Sequence, residues 1–574
     1  MDDAILIFTF SPVQSFIAEA RRAADLFTGS QILVELANAA GEIIHGCSKK
    51  RLIYPATLDE GTPNKLVACV PWNEVRQIAE NAEQQLLERW LKIADEAKKE
   101  LKSKDPKPDS VWEGIWERQI NNLWEIYWAA ASMESRSYKD AYKEASRVLE
   151  GVKRIRCFEP SDEYGSKDTL SGRRSALHTD SSGAKAYWEF IGKKVRPPKL
   201  RPEGRERLDA IGAIKRFCNI ADESFPSTST VAAAEFLELA RPHLADYRSA
   251  VEELLGGYLY IARKKDKVWP YDGDLLYMET LTENRLKDSY GITQTNEDKL
   301  KKAQEKLREL YNKVGSRPSP YYAVIVLDGD KMGERINRLL ETADPEIEHR
   351  NFSEQLAKFA CAVRDFVGEQ DWVIYNGGDD VLALSPLAKA VPLASNLAAE
   401  FARITRATAS AGIAIVHHLY PLDAALAAAR KAEEEAKHLR GRNAVCIHVL
   451  RRSGERVHIG SEWDDLGARF DNLVARFKSG EISSKFAYDL LDEARTITGL
   501  EDKESRSAVL KRLIKRHKTP LLSKDEEDRL LVEMRKWSDA LDKRVPEENG
   551  SSQGFAELGR WLVFARFVAE GGRT

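Results

Sequence analysis

YYAVIVLDGDKMGERI at residues 321–336 and DWVIYNGGDDVLALS at residues 371–385 decide the fold of this chain. The apolar, β-branched run Tyr322–Leu327 predicts a buried strand that ends at Asp328. The second stretch predicts a tight hairpin, because its two apolar runs flank a pair of glycines that can adopt the positive φ angles of such turns.

Helical periodicity surrounds the hairpin. Apolar residues recur three or four positions apart in Ser353–Val367 and in Val391–Ile404, and a further strand is predicted at Ala409–Val416. The resulting order of strand, helix, two strands, helix and strand predicts a βαββαβ ferredoxin-like palm. We place this palm at residues 319–453.

Carboxylates fall at the strand ends of the predicted palm: Asp328 and Asp330 follow the first strand, and Asp379 and Asp380 lie in the hairpin. Either group alone is an ordinary surface turn. If the strands are neighbours, the carboxylates converge and require hard divalent cations such as Mg²⁺. Two ions roughly 3.5–4 Å apart would suit phosphoryl chemistry. The combination favours a metal site over two solvated turns.

Three motifs carry a family resemblance: LDGDKMG at 327–333, GGDDVLAL at 377–384, and SAGIAIVHHLYPLDAALAAARKAEEEAK at 410–437. Together they resemble the palm of the large subunit of type III CRISPR effector complexes, with the Cmr (III-B) branch fitting best. That palm is related to the GGDEF and nucleotide-cyclase palms. GGDD in place of GGDEF argues against a diguanylate cyclase.

The resemblance implies an antiviral ribonucleoprotein enzyme that condenses ATP into cyclic oligoadenylate when target RNA binds. Its implied partners are the other Cmr-type subunits, a CRISPR RNA and the complementary target RNA. Two Mg²⁺ or Mn²⁺ ions would be held by the catalytic residues Asp328, Asp379 and Asp380. Further nucleotide contacts are expected from Gly377, Gly378, Lys437, Asp330 and Ser11.

A second, degenerate palm is predicted at residues 1–150. Its elements follow a palm-like order without an acidic hairpin, and FSPVQSFIAEARRAADLFTGSQIL at 10–33 resembles the opening segment of the same family. Two palms in one chain imply a face-to-face pair with nucleotide between them, which would put Ser11 on the far side of the pocket. Trp112, Trp116, Trp124 and Trp128 are predicted to form one helical core stripe.

The remaining residues are predicted to be mostly helical. Residues 151–318 include a region where relatives carry a zinc ribbon, but Asp168 and Ser171 stand where a CxxC pair is expected. Zinc needs about four ligands, and only Cys157 and Cys218 are near, so no structural zinc is expected. Residues 454–574 are predicted to be a C-terminal helical domain that docks small partner subunits. The fold class is therefore α+β and multidomain, with two palms and helical domains.

Bulk composition limits the location and the chemistry. The chain has 574 residues, 43% hydrophobic and 31% charged, with a net charge of −3, so any RNA contact must come from local patches. No apolar run reaches the ~20 residues of a membrane span, and the acidic start is unlike a secretory signal. A cytoplasmic protein is expected. None of the ten histidines precedes an aspartate, so HD-type nuclease activity is not expected.

Two other functions are compatible with these motifs. The chain could be a non-catalytic scaffold that anchors guide RNA and partner subunits, although intact DGD and GGDD motifs weigh against an idle palm. The same two-metal chemistry could also attach AMP to a non-nucleotide acceptor. The mass of the product distinguishes the last possibility from cyclic oligoadenylate synthesis.

Overall fold

The computed structural model describes residues 3–46, 52–59, 61–104, 107–155, 163–195, 199–201, 203–220, 225–264, 266–367, 372–496, 503–542 and 553–573. Its strands are β1 Asp3–Ser11, β2 Leu52–Tyr54, β3 Lys65–Pro71, β4 Glu125–Ser132, β5 Tyr321–Gly329, β6 Val373–Asn376, β7 Asp380–Pro386, β8 Ala409–His417, β9 Ala444–Leu450 and β10 Arg456–Glu462.

The helices of the first part of the chain are α1 Gln14–Ala18, α2 Ala23–His45, α3 Val75–Lys104, α4 Ser110–Asn121, α5 Tyr138–Arg154, α6 Ala184–Lys194, α7 Ala210–Phe217, α8 Thr228–Ala240, α9 Ala245–Leu255, α10 Glu283–Tyr290 and α11 Glu297–Val314. Those of the second part are α12 Met332–Leu339, α13 Pro345–Val367, α14 Ala390–Thr405, α15 Leu422–His438, α16 Leu466–Ser479, α17 Lys485–Thr496, α18 Lys503–His517, α19 Lys524–Asp542 and α20 Gln553–Ala569. Over the described ranges, no helix has the length and apolar character needed to cross a membrane.

The first sheet is four-stranded and antiparallel, in the order β2-β3-β1-β4. Its central strand β1 is buried on both faces: Leu6 and Phe8 pack under α2 and α3, whereas Ile5 and Ile7 pack against α5. Double burial explains the continuous apolar run at the start of the chain, since a half-exposed strand would alternate. The strand order is that of a ferredoxin-like unit, as the sequence predicted.

The second sheet has six strands in the order β10-β9-β8-β5-β7-β6. Strands β5 to β8 repeat the ferredoxin-like order of the first sheet, and β9 is added parallel to β8 through the crossover helix α15. Val324 and Ala414 face a core that continues into the first palm, whereas Ile325 and Leu327 face α13 and α14. The predicted α+β class with two palms is therefore confirmed.

Three local predictions are corrected. Residues after about 455 do not show helices alone, because β10 pairs with β9 at the sheet edge. The tryptophans do not share one helix: Trp112 and Trp116 lie on α4, but Trp128 lies on β4. Their spacing of four is also compatible with one face of a strand, which is why the periodicity misled. The segment DLFTGS at residues 25–30 predicts a break in the first helical region, but it lies inside α2, and the break falls between α1 and α2.

The loop at residues 168–171, where the family resemblance points to a degenerate zinc ribbon, is organised by Asp168. Its carboxylate accepts hydrogen bonds from the N–H groups of Leu170 and Ser171 at 2.7 and 2.6 Å, and from the Ser171 hydroxyl at 2.7 Å. Such an Asx turn closes the loop locally. Cys157 lies outside the described residues, and the expected absence of zinc from this loop stays a prediction.

Candidate active site

Asp328, Asp379 and Asp380, three of the predicted site residues, lie at neighbouring strand ends of the second sheet. Asp328 of β5 and Asp380 of β7 are direct cross-strand partners. The neighbouring Gly329 N–H donates to the backbone carbonyl of Asp379 at 3.1 Å, which fixes the hairpin beside the end of β5. Residues far apart in the chain are thus brought together by strand pairing alone.

The hairpin turn depends on its glycines. Gly377 N–H donates to the carbonyl of Asp380 at 3.0 Å and closes the turn. Gly378 adopts a φ of +99°, a backbone conformation that costs free energy for any residue with a Cβ. The turn therefore has no side chain of its own at these two positions, and the Tyr375 hydroxyl lies against Gly377, 2.0 Å from where a Cβ would be.

The electrostatics of the hairpin show unbalanced negative charge. Burial raises the pKa of Asp379 above its ordinary value, and the adjacent Asp380 carboxylate raises it further. Burial likewise raises the pKa of Asp380, against a smaller opposing effect of Arg430. Two partly desolvated carboxylates that repel each other are stabilised by cations.

Helix α15 supplies cationic and acidic side chains to the same place. Lys437 Nζ forms an ion pair with Asp328 and a second with Glu433 at 2.6 Å. Burial lowers the pKa of Lys437 to about 8 and raises that of Glu433 to about 7. Arg430, Glu433 and Lys437 are spaced by three and four residues, which places them on one face of the helix.

The close approach of α15 to the sheet depends on Gly412 of β8. A Cβ at this position would lie 2.0 Å from the carbonyl oxygen of Ala429 and 2.2 Å from the N of Glu433. No side chain fits there, so the backbone of α15 lies directly against β8. This contact fixes the distance between the sheet and α15, the helix that carries Glu433 and Lys437.

Asp330 has a different position from the other predicted residues. It is buried, and its carboxylate accepts hydrogen bonds from Thr408 Oγ1 at 2.8 Å, Ser410 Oγ at 2.7 Å and Asn443 N–H at 2.9 Å. These contacts join the end of β5 to the starts of β8 and β9. Its nucleotide contact stays a prediction, and the geometry gives it a supporting role beneath the site.

Ser11 lies at the end of β1 in the first palm, opposite Glu125 of β4. That Ser11 lines the far side of a nucleotide pocket between the palms stays a prediction. Two other residues of the first palm, Tyr54 and Lys65, interact electrostatically with Asp379. Burial raises the pKa of Tyr54 and Asp379 raises it further, and Asp379 partly offsets the burial that lowers the pKa of Lys65.

No sequence motif assigned a role to Arg430, Glu433, Tyr54 or Lys65. The first two could have been found from the helical spacing that leads back from Lys437. The latter two could not, because their approach to Asp379 depends on how the two palms pack. One contact of that packing is the loop at Gly61, where a Cβ would lie 2.9 Å from the carbonyl oxygen of Asn376.

Comparison with known proteins agrees with this architecture. Residues 321–446 match the family model for the Cas10/Cmr2 second palm domain, and residues 5–61 match that for the N-terminal region of CRISPR-associated protein Cmr2. A curated relative from Pyrococcus furiosus, the CRISPR system Cmr subunit Cmr2, is 24% identical over 609 residues, which cover 86% of this chain and 67% of the relative.

Two similar solved structures come from the type III-B Cmr-beta complex. Its apo state has a chain with a TM-score of 0.67 and 13% identity, and the match covers 100% of this chain and 82% of that one. The state bound to cognate target RNA has a chain with a TM-score of 0.67 and 12% identity, and covers 99% and 83%. At these identities the likeness concerns the fold. Residues 321–446 and 5–61 thus resemble the Cas10/Cmr2 second palm domain and the N-terminal region of Cmr2, and over 86% of its length the chain is similar to a curated Cmr2 subunit of a type III CRISPR system.

Proposed function

We propose that this protein condenses ATP into cyclic oligoadenylate as the large subunit of a type III-B CRISPR ribonucleoprotein. The observation that carries the proposal is the pairing of Asp328 with Asp380 across β5 and β7, with Asp379 adjacent and Lys437 reaching in from α15. A polymerase-type palm needs clustered carboxylates, a cation for the phosphates and an open backbone turn. The neighbouring aspartates, Lys437 and the glycine turn support the proposal.

The donor set fits Mg²⁺ or Mn²⁺. The three aspartates offer only carboxylate oxygens, which are hard ligands that these ions prefer. Burial raises the pKa values of Asp379 and Asp380, and the Asp380 carboxylate raises that of Asp379 further. Bound cations would therefore offset the free energy that these buried negative charges cost the folded protein. When bound, two such ions would supply activation of the attacking ribose hydroxyl and neutralisation of charge at the α-phosphate.

The remaining groups would bind and orient the nucleotide. Gly377 and Gly378 would let phosphate oxygens approach the backbone closely. Lys437 is paired with Asp328 in the free protein and would turn to the triphosphate once that carboxylate is otherwise engaged. The first palm would close the opposite side of the pocket through Lys65, Tyr54 and, as the resemblance implies, Ser11.

The proposed partners follow from the relatives. The curated relative is a subunit of a Cmr system, and one matched structure is of a complex bound to cognate target RNA. We therefore assign this chain to an assembly with other Cmr-type subunits, a CRISPR RNA and a target RNA that activates synthesis. Such an assembly would act in antiviral defence.

The test is a product assay. The protein is reconstituted with its guide-loaded partner subunits, given labelled ATP with Mg²⁺ or Mn²⁺, and the products are resolved by mass with and without target RNA. Target-dependent cyclic oligoadenylate is the expected result. A conjugate of AMP with another acceptor would keep the site and change the substrate. No turnover with either ion, while target RNA still binds, would show a scaffold instead.

A further inference from the structure

A second group of possible metal ligands lies on the other side of α15. Glu435 of α15, His448 of β9 and His458 of β10 have ligand atoms that all lie within 4.8 Å of one another. We propose that these three side chains form a binding site for a divalent transition metal of the zinc type. The site is separate from the carboxylates of the palm and does not depend on the activity proposed above.

The backbone positions the two histidines as a pair. His448 and His458 are direct cross-strand partners in the antiparallel β9–β10 ladder. Their rings are stacked, with centroids 3.9 Å apart and planes inclined by 18°. Directly opposite residues on one face of a sheet have their Cβ atoms about 5 Å apart, so both imidazoles reach the same space beneath α15.

The carboxylate of Glu435 completes the group. Its Oε2 lies 2.8 Å from His448 Nε2 and 3.7 Å from His458 Nδ1. Zinc holds nitrogen and oxygen ligands at about 2.0–2.2 Å in a tetrahedron, which requires ligand atoms about 3.4 Å apart. The two observed distances bracket this value. Small rotations of the side chains, easiest for the half-exposed His458, would bring all three atoms to one ion.

The chemistry of the ligands selects the metal. Two imidazoles and a carboxylate are the donors of open zinc sites, in which water takes the fourth position. Mg²⁺ prefers oxygen ligands, so it should fill the palm and leave this site to zinc-like ions. The partial exposure of His458 and Glu435 provides an entry path. Lys431 and Arg456 add positive charge near His458, and Glu435 supplies the negative charge that opposes it.

A similar trio, Glu279, His417 and His418, does not support a metal site. His417 Nδ1 accepts a hydrogen bond from the backbone N–H of Leu419 at 3.2 Å. The proton of the neutral ring must therefore be on Nε2, the atom that faces Glu279 at 3.3 Å. A protonated nitrogen has no lone pair for a metal. This trio is better explained as a hydrogen-bonded contact between the helical region and β8.

Metal binding by the purified full-length chain tests the proposal. The protein is stripped with a chelator and titrated with Zn²⁺ in excess Mg²⁺, with calorimetry for stoichiometry and Co²⁺ absorption for the ligand field. We expect one zinc per chain and a tetrahedral Co²⁺ spectrum. H458Q and E435Q should each weaken zinc binding by at least about tenfold, since a lost ligand costs no less than a lost supporting contact.

Two controls separate this site from others. H438Q changes an exposed histidine of the same helix and should bind zinc like the unchanged protein. The palm variant D379N/D380N should also keep the zinc, which distinguishes failure of this proposal from failure of the palm assignment. Zinc binding that is equal in H458Q and the unchanged protein, or that disappears in the palm variant, would overturn the proposal.

Discussion

The Tyr138 hydroxyl and His349 Nδ1 lie 2.9 Å apart in a buried hydrogen bond. Tyr138 belongs to α5 of the first palm and His349 to α13 of the second, so this bond joins the two palms. Tyr142 adds an edge-to-face contact with the same imidazole, at 5.2 Å between ring centroids. An interface built on a neutral, desolvated histidine is sensitive to acid.

The first prediction concerns this pH dependence. Burial lowers the pKa of His349 to about 4 from the ordinary value of 6.5. The unfolded chain therefore takes up a proton at a higher pH than the folded chain, so the contribution of His349 is complete above pH 6.5 and is lost as the pH falls towards 4. Between pH 6.5 and 5.0 the loss should approach about 2 kcal/mol.

Thermal unfolding of the unchanged protein and of H349Q at pH 7.5 and 5.0 measures this loss. On acidification from pH 7.5 to 5.0, the melting temperature of the unchanged protein should fall further than that of H349Q. H438Q, which alters an exposed histidine, should follow the unchanged protein. Equal losses in all three proteins would contradict the assignment of the acid sensitivity to His349.

The second prediction concerns catalysis. D379A/D380A should reduce synthesis by at least about 10²-fold, because metal stabilisation of developing charge contributes several kcal/mol. Binding of guide and target RNA should be retained, since the two aspartates lie in a hairpin of the palm. Product mass analysis and RNA binding are measured side by side. D95A/D298A removes two exposed charges from α3 and α11 and should leave synthesis unchanged.

The third prediction concerns the stability cost of the same acids. A carboxylate whose pKa is raised by folding destabilises the folded state once the pH exceeds its unfolded pKa. In buffer without divalent cations at neutral pH, D379N/D380N should therefore have a higher melting temperature than the unchanged protein. Addition of Mg²⁺ should narrow the difference, because only the unchanged protein gains a bound cation. A lower melting temperature for the variant would refute this account.

The fourth prediction concerns Lys437. K437Q removes the cation that pairs with Asp328 and faces the proposed triphosphate. The KM for ATP should therefore rise by about tenfold, since the lost binding free energy is that of one charge-assisted hydrogen bond. K431Q alters an exposed lysine on the same helix and serves as the matched control. Steady-state kinetics at several ATP concentrations distinguish the two. An unchanged KM in K437Q would remove Lys437 from the nucleotide site.

The fifth prediction concerns Gly412. G412A would place a Cβ within 2.0 Å of the backbone of α15, so the helix must shift and both stability and synthesis should fall. G114A is the control, because its Cβ would meet nothing within 4 Å and alanine is favoured over glycine in a helix. Its melting temperature should be equal or slightly higher. Melting temperature and product yield are measured for both variants.

The palm was predictable from local patterns because strand pairing alone brings its acids together. Apolar runs that stop at Asp328 and at a glycine turn define both strand ends, and β5 and β7 then place the acids face to face. The strand β10 was missed because Val457 and Ile459 are its only aliphatic residues at the edge of the sheet. Two alternating apolar residues are too few to identify a strand by its two-residue period.

The contributions of the first palm and of Asp330 could not be predicted for a different reason. Lys65 and Tyr54 come near Asp379 only through packing between two domains, which no local period encodes. Asp330 and Asp328 look equivalent in the DGD motif. Their roles diverge because β5 ends at Gly329, so that Asp328 stays in the ladder and Asp330 turns towards Thr408 and Ser410.

Helix α15 contributes side chains to the proposed palm site and to the proposed metal site. Each residue of an α-helix turns by about 100°, so Glu435 and Lys437 point to nearly opposite sides of the same rod. A rigid rod that is held on one side cannot rotate without moving the other, and any coupling between the two sides is reciprocal. The crossover that connects β8 to β9 therefore joins the two sides: a rotation of α15 caused by a ligand at the sheet edge would also move Lys437, and a rotation caused by a nucleotide at Lys437 would also move Glu435.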